Sequence, residues 1–241
     1  MSEQEYYKQK LIEKNQEFED FVYIISHDVK APLRAISNLS QWIEEDLGED
    51  VTEEVQINLS LLKNRVKRME MMMNALTEIS RIKRTNLNIR ELESRKAIEE
   101  IWEDLNVPAT YQLELNGDFP AFQTLSQKLK TVLFHLIENA VKFQKRTDAL
   151  VRVSCDELKT HFQFTVEDNG VGIDEKLTDK VFSIFFTMDS KEELNSIGAG
   201  LTLCKKILDF VGGEILLYSK ENEGTKIVFT WPKEIDTKKN Y

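Results

Sequence analysis

His27 lies in the segment Phe21-Val22-Tyr23-Ile24-Ile25-Ser26-His27-Asp28-Val29-Lys30-Ala31-Pro32-Leu33-Arg34. A neutral imidazole is a competent nucleophile near pH 7, and the adjacent Asp28 can hold one ring nitrogen as N–H, leaving the other lone pair free to attack. With Val22 and Val29 at one core position of a heptad and Ile25 at the other, His27 is predicted on the outer face of its helix. Pro32 removes the hydrogen bond to the Asp28 carbonyl, so a bend beside the nucleophile is expected. A lone surface histidine is usually inert, so this segment acquires meaning only from what accompanies it.

Three later segments supply the parts of a nucleotide site. In Phe134-His135-Leu136-Ile137-Glu138-Asn139-Ala140-Val141-Lys142-Phe143, the residues Asn139, Lys142 and Phe143 stand at i, i+3 and i+4 and share one helical face. An amide oxygen, an ammonium and a ring are the groups wanted for Mg²⁺, phosphate and base. In Val166-Glu167-Asp168-Asn169-Gly170-Val171-Gly172-Ile173, the Asp168 carboxylate can accept from the exocyclic amine of adenine; guanine has a carbonyl at that edge. Gly170 and Gly172 allow the backbone to turn sharply and approach a ligand. In Ile197-Gly198-Ala199-Gly200-Leu201-Thr202, Gly198 and Gly200 open a helix whose free N–H groups can bind phosphate. The mostly polar residues between Phe186 and Ile197 are expected to form a lid. Each segment alone has a plain alternative: an amphipathic helix, an Asp-Asn-Gly hairpin turn, a glycine before a helix.

These residues need two kinds of scaffold. From Tyr6 to about Leu47 apolar residues recur at Leu11, Phe18, Val22, Ile25, Val29, Ile36, Leu39 and Ile43, the heptad stripe of one long helix. After Gly48-Glu49-Asp50 a second stripe runs through Val55, Leu59, Leu62, Val66, Met69, Met73, Leu76 and Ile79. An antiparallel hairpin of two such helices leaves much of each stripe wet, so pairing with a second copy into a four-helix bundle is expected. The methionines read as adaptable packing. A polar, basic stretch from Ser80 to Asn88 marks a domain boundary. Beyond it strands are predicted near 87–92, 111–115, 151–155, 162–167, 214–218 and 226–230, with helices at 94–104, 125–143 and 199–210. That order describes a mixed sheet with helices on one side, an α/β sandwich.

Composition narrows the function. A formal charge of -10 disfavours nucleic acid, whose non-specific affinity needs Lys and Arg on phosphates. Two separated cysteines, Cys155 and Cys204, indicate neither a disulfide framework nor a zinc site and fit a reducing, cytoplasmic setting. No apolar run approaches a membrane span, and the polar N-terminus is unlike a signal peptide.

Taken in order, the His27, Asn139, Asp168, Val181-Phe182-Ser183-Ile184-Phe185-Phe186 and Gly198-Gly200 segments resemble the H, N, G1, F and G2 boxes of two-component sensor histidine kinases. The match covers about Glu17 to Pro232. The resemblance implies a dimeric antiparallel four-helix bundle, two helices per chain, followed by a Bergerat-type α/β sandwich shared with gyrase and Hsp90-like ATPases. It divides the chain into an N-terminal coiled-coil extension (1–20), a dimerisation and histidine phosphotransfer domain (21–84) and a catalytic ATP-binding domain (85–235). By that similarity His27 is the phosphoacceptor and Asp28 its orienting base. Asn139 is the Mg²⁺ ligand, Lys142 a phosphate contact and Phe143 part of the base pocket. Asp168 reads adenine, Gly170 and Gly172 shape its loop, Gly198 and Gly200 face the triphosphate of ATP, and Gly224-Thr225 is the closing turn. The implied partners are a second copy, the receiver domain of a separate response regulator, and a sensor domain upstream.

Several positions depart from the family pattern. Ala31 stands where many relatives carry Thr or Asn to place a hydrolytic water, His135 replaces the first Asn of the N box, Thr187 occupies a place often held by Arg, and Ser196-Ile197 replaces Gly-Thr. Two other classes compete with the kinase: a silent dimeric scaffold, motivated by these departures, and a gyrase-like ATPase switch, which has no use for an exposed His27.

Overall fold

The computed structural model describes residues 3–48, 52–187 and 197–235, and the chain divides into two compact units, residues 1–81 and 82–241. The first unit is a hairpin of α1 (Glu3–Leu47) and α2 (Glu53–Ser80). Thr52 caps α2, its hydroxyl accepting from the Val55 N–H, and Glu53 and Glu54 complement the positive end of the helix dipole. The pairing is antiparallel: Lys63 bridges to Glu44 near the end of α1, whereas Arg81 past the end of α2 reaches back to Tyr23. Glu49 and Asp50 of the expected break lie outside the described residues.

The seam between the two helices differs from the predicted stripe. Its buried positions on α1 are Ser26, Leu33 and Ser40, spaced by seven, and on α2 Leu59, Val66 and Ser80. Leu11, Phe18, Ile25, Ile36, Leu39 and Ile43 are exposed large hydrophobics in the single chain, as are Val55, Leu62 and Met69. Small serines let the helix backbones approach closely, so the seam carries less apolar bulk than the face left open. α1 also runs unbroken through Pro32, an exposed residue, and across residue 20. The hydrogen bond missing at Pro32 therefore does not end the helix.

The second unit is a five-stranded sheet in the order β2-β4-β5-β7-β6, formed by β2 (Gln112–Gly117), β4 (Leu150–Glu157), β5 (His161–Asp168), β6 (Ile215–Lys220) and β7 (Gly224–Pro232). Only β2 and β4 run parallel; the other neighbours are antiparallel. A separate two-stranded ribbon joins β1 (Arg90–Glu93) to β3 (Ala121–Thr124). β3 was absent from the sequence reading, because four residues with Phe122 as their one large apolar side chain give no periodic signal.

Helices α3 (Ser94–Asp104), α4 (Ser126–Lys142) and α5 (Gly200–Val211) cover one side of the sheet. α4 buries Leu129, Val132, Leu133, Leu136, Ile137 and Ala140, the i, i+3, i+4, i+7 face of a helix against a core. Facing it, alternate residues Val151, Val153 and Cys155 of β4, Phe162, Phe164 and Val166 of β5, and Ile227, Phe229 and Trp231 of β7 are buried. Each fully buried aliphatic side chain contributes roughly 1.5–3 kcal/mol. The opposite sheet face is polar, with Arg152 on β4 donating to Glu114 on β2 at 2.8 Å and lying 3.6 Å from Glu167 on β5. The buried Trp231 indole donates to Thr124 Oγ1 at 2.7 Å, tying the ribbon to the sheet. At the entry to this unit Lys128, itself buried, donates to the Ile82 carbonyl and lies over the Phe210 ring. No described helix is long and apolar enough to cross a membrane.

Candidate active site

In the first unit His27 sits on the outside of α1, its side chain 71% exposed. The outward placement expected from the register is observed, although Ile25, used to set that register, is itself 43% exposed. The His27 Nδ1 lies 3.2 Å from Asp28 Oδ1. With its proton on Nδ1, the ring donates to Asp28 and leaves the Nε2 lone pair facing solvent. One turn earlier, the Tyr23 ring stands 6.4 Å from the imidazole, tilted by 37°.

The second unit brings the N-box and G1 segments together at one end of the sheet. α4 ends at Lys142, and Phe143, its C-cap, accepts at its carbonyl from the Val171 N–H at 3.1 Å. Asp168, last residue of β5, accepts at Oδ1 from the Gly170 N–H at 2.8 Å. An added Cβ on Gly170 would come within 2.7 Å of the Phe143 carbonyl and 2.8 Å of the Asp168 carboxylate, so only glycine leaves this cradle open. Gly172 has φ +65°, and a side chain there would collide with the Lys220 carbonyl. Asn222 donates to the Val171 carbonyl at 2.7 Å and Ser219 Oγ accepts from Ile173 at 2.8 Å, so the β6–β7 turn clamps this loop. Gly224 abuts the Asp168 carbonyl.

Electrostatics single out Asp168. Burial pushes its carboxyl up to about 6, opposed by the backbone N–H groups of Gly170 and Thr225 and reinforced by Glu167. A carboxylate kept partly dry, with no cation among the described residues that act on it, is disposed to accept a hydrogen bond from a neutral donor such as an amine. On α4, burial lowers the half-buried Lys142 ammonium below its ordinary value, while Glu138 partly restores it. Glu138 is lowered chiefly by its contact with His135, whose Nδ1 is 3.4 Å away.

The glycine-rich entry to α5 lies against the same helix. A Cβ on Gly200 would meet His135 Nδ1 at 3.3 Å, which sets the first turn of α5 beside the α4 face carrying His135, Glu138, Asn139 and Lys142. Gly198 has φ +66° and abuts the Phe186 carbonyl, while its own carbonyl accepts from Phe185 at 3.0 Å. Thr202 Oγ1 donates to the Phe182 carbonyl at 3.0 Å. The F-like segment is thus pinned to the α5 entry at both ends. Most of the expected lid, residues 188–196, and with it Ser196, lies outside the described residues.

Two residues at this end escaped the sequence reading. Asn169 locks the end of β5, accepting from the Leu150 N–H at 2.8 Å and donating to the Asp148 carbonyl at 3.1 Å. Gln144 donates to the Ala140 carbonyl, and its buried Oε1 has no hydrogen-bond partner among the described residues. Nothing local in the sequence distinguishes either from an ordinary loop amide. A separate cavity of about 260 Å³, between β1, α3 and the start of α4, is lined by Lys96, Glu100 and Lys130 among others and holds none of the residues above. The open Gly170 cradle, the dry Asp168 carboxylate and the orphaned Gln144 oxygen fit a planar base with an amine edge, and the Asn139 amide fits a hard cation.

Comparison with known proteins agrees in both units. Residues 19–85 match the family model described as "His Kinase A (phospho-acceptor) domain", and residues 124–235 match "Histidine kinase-, DNA gyrase B-, and HSP90-like ATPase". Cyanobacterial phytochrome B of Nostoc sp. is 31% identical over 221 residues, covering 90% of this chain and 29% of its own length. The chain thus spans under a third of the curated relatives it matches first. Full-length ShkA in complex with AMPPNP shares the fold at a TM-score of 0.65 and 15% identity, over 90% of this chain and 47% of that one. ThkA in complex with the response regulator protein TrrA does so at 0.60 and 20%, over 95% and 67%. With a phospho-acceptor helical hairpin followed by a Bergerat-type ATPase unit, the chain belongs to the two-component sensor histidine kinases.

Proposed function

We propose that this chain is the kinase core of a two-component system, which phosphorylates His27 from ATP and passes the phosphoryl group to an aspartate of a separate response regulator. The observation that carries the reading is the exposed imidazole of His27, oriented by Asp28 at 3.2 Å. A water-using ATPase has no task for such a group, and a silent scaffold has no need of the dry Asp168 carboxylate.

Asp168 would select adenine through its amine, with Gly170 and Gly172 keeping the cradle open and Phe143 closing one side of the base. Asn139 would hold Mg²⁺, Lys142 would contact phosphate, and the N–H groups at Gly198 and Gly200 would meet the triphosphate. When bound, ATP supplies the γ-phosphoryl group and Mg²⁺ neutralises its charge. Asp28 holds Nδ1–H, so Nε2 of His27 presents its lone pair to the γ-phosphorus. The N–P bond forms as the bond from that phosphorus to the bridging oxygen breaks, and ADP leaves with the electron pair. Positioning and charge neutralisation do most of this work.

The exposed stripe of Ile25, Ile36, Leu39, Ile43, Leu62 and Met69 supports a homodimeric four-helix bundle. The division into 1–20, 21–84 and 85–235, a sensor domain upstream and a reducing, cytoplasmic setting complete the reading; both cysteines are buried and free. The test is incubation with γ-labelled ATP and Mg²⁺, followed by addition of a receiver domain. Label that is acid-labile, base-stable and chased onto the receiver supports the reading, whereas ATP binding without any label favours the scaffold.

A further inference from the structure

The cavity of about 260 Å³ between β1, α3 and the start of α4 takes no part in the nucleotide site, and along α4 its first turn is roughly 24 Å from Lys142. Buried Leu92 and Ala97 form its apolar part. Leu92 is the buried residue of β1, so by strand alternation Arg90 projects from the same face, and Glu91 and Glu93, which also border the cavity, project from the other. From α3 come Lys96 and Glu100, four residues apart; from α4 come Ser126, Gln127 and Lys130, which share one helical face. Three cations thus meet one carboxylate on the cavity side. Lys130 donates to that carboxylate, Glu100 Oε2, at 3.0 Å, and Lys96 acts on it from farther away. Arg90 and Lys96 make no hydrogen bond or close ion pair among the described residues.

Two further sets of donors open on the same space. The N-cap of α4, Leu125, has no side-chain hydrogen bond to the helix, so no side chain answers the free N–H groups of its first turn. Ser126 is 7% exposed, lines the cavity, and has a hydroxyl without a hydrogen-bond partner among the described residues. We propose that this cavity binds a doubly charged phosphate group, free or carried on a small ester. First-turn N–H groups and the positive end of the helix dipole favour an anion. The planar Arg90 guanidinium suits two phosphoryl oxygens at once, Lys96 and Lys130 add charge, and Ser126 Oγ donates to a further oxygen. A tetrahedral dianion can use donors from β1, α3 and α4 together, which a flat carboxylate cannot. The volume lies just under the roughly 300–1,000 Å³ of sites for drug-sized ligands, so room remains beside the phosphate for a few atoms against Leu92 and Ala97.

The test follows the Ser126 and Gln127 amides of the whole chain by ¹H–¹⁵N NMR while inorganic phosphate is added at pH 7.5, with sodium chloride at equal ionic strength for comparison. A saturating non-hydrolysable ATP analogue with Mg²⁺ occupies the glycine loops, so phosphate bound there is not read. Saturable shifts at both amides with phosphate, and none with chloride, are expected. Lys96→Gln and Arg90→Gln, both at exposed residues, should each raise Kd about three- to tenfold, and Ser126→Ala about two- to fivefold. Lys159→Gln, at an exposed lysine between β4 and β5, should change it less than about 1.5-fold. Shifts that do not saturate, or that chloride reproduces, would overturn the proposal, as would a Kd unmoved in Lys96→Gln and Arg90→Gln. An effect of Lys159→Gln equal to that of Lys96→Gln marks a general field and overturns it too. Glycerol 3-phosphate separates the sources: tighter binding than inorganic phosphate assigns the site to an ester, and equal or weaker binding assigns it to the free anion. Because the readout sits at Ser126 and Gln127, failure of the ATP analogue to bind would count against the kinase reading and leave this site standing.

Discussion

Lowering the pH should erase the preference for adenine before it harms the fold. The Asp168 carboxyl is held at about 6 by burial, and its ionised form is by far the stronger acceptor for an exocyclic amine. At pH 7.5 nearly all of it is ionised; at pH 5, about one molecule in eleven, so affinity through this contact falls about tenfold, or ~1.4 kcal/mol. An aspartate at the ordinary value near 3.8 would keep more than about nine-tenths of its charge at pH 5 and show almost no loss. Phosphate groups titrate in the same range, so the quantity to follow is the ratio of ATP to GTP affinity, in which their contribution cancels. Calorimetric titrations from pH 7.5 to 5 should show that ratio collapsing with a midpoint near 6 in wild type and staying flat and low in Asp168→Asn. A ratio independent of pH in wild type would refute the assignment of Asp168 as the base reader.

The same residue ties function to stability. A carboxyl whose folded value is raised contributes stability that is fully present below about 4 and lost as the pH rises through about 6, because the folded state retains the extra proton in that window. Asp168→Asn should therefore stabilise the nucleotide-free protein at pH 7.5 by about 1–3 kcal/mol in urea, with the gain shrinking toward pH 4. Gly172→Ala forces a side chain into the Lys220 carbonyl at φ +65°; a loss of about 2–4 kcal/mol and of nucleotide binding is expected. Thr124→Val leaves the buried Trp231 N–H without its partner and should cost about 1–3 kcal/mol, read from urea denaturation. His135→Asn removes the imidazole packed on Gly200 and should change the Kd for ATP while leaving the melting temperature within about 2 °C, since surface-proximal polar changes usually stay within ±0.5 kcal/mol.

Helices α3, α4 and α5 were legible because their apolar residues repeat at helical spacing over three turns or more, and the five strands of the main sheet because their residues alternate. The hairpin was legible as two helices, but its internal seam was not. A search for apolar stripes finds Ile25, Ile36 and Leu39, which the single chain leaves exposed, and passes over Ser26 and Ser40, which the seam buries. In the nucleotide unit, spacing alone brought out Asn139, Lys142, Asp168 and the glycine pairs. What no spacing reveals is the stitching between them: the Phe143 carbonyl taking the Val171 N–H, Asn169 bridging to Asp148 and Leu150, and the α5 entry resting on His135. Those contacts join residues distant in sequence through groups that every residue or every amide possesses.

The central claim is that His27 is the nucleophile toward ATP. It is tested most directly by comparing wild type with His27→Ala in γ-labelled ATP and Mg²⁺, after confirming by calorimetry that both bind the nucleotide equally. His27 is exposed, so the substitution leaves the fold intact, and the account predicts acid-labile label on wild type and none on the variant. Equal labelling of the two proteins, or an ATP-binding wild type that never acquires label, would contradict it.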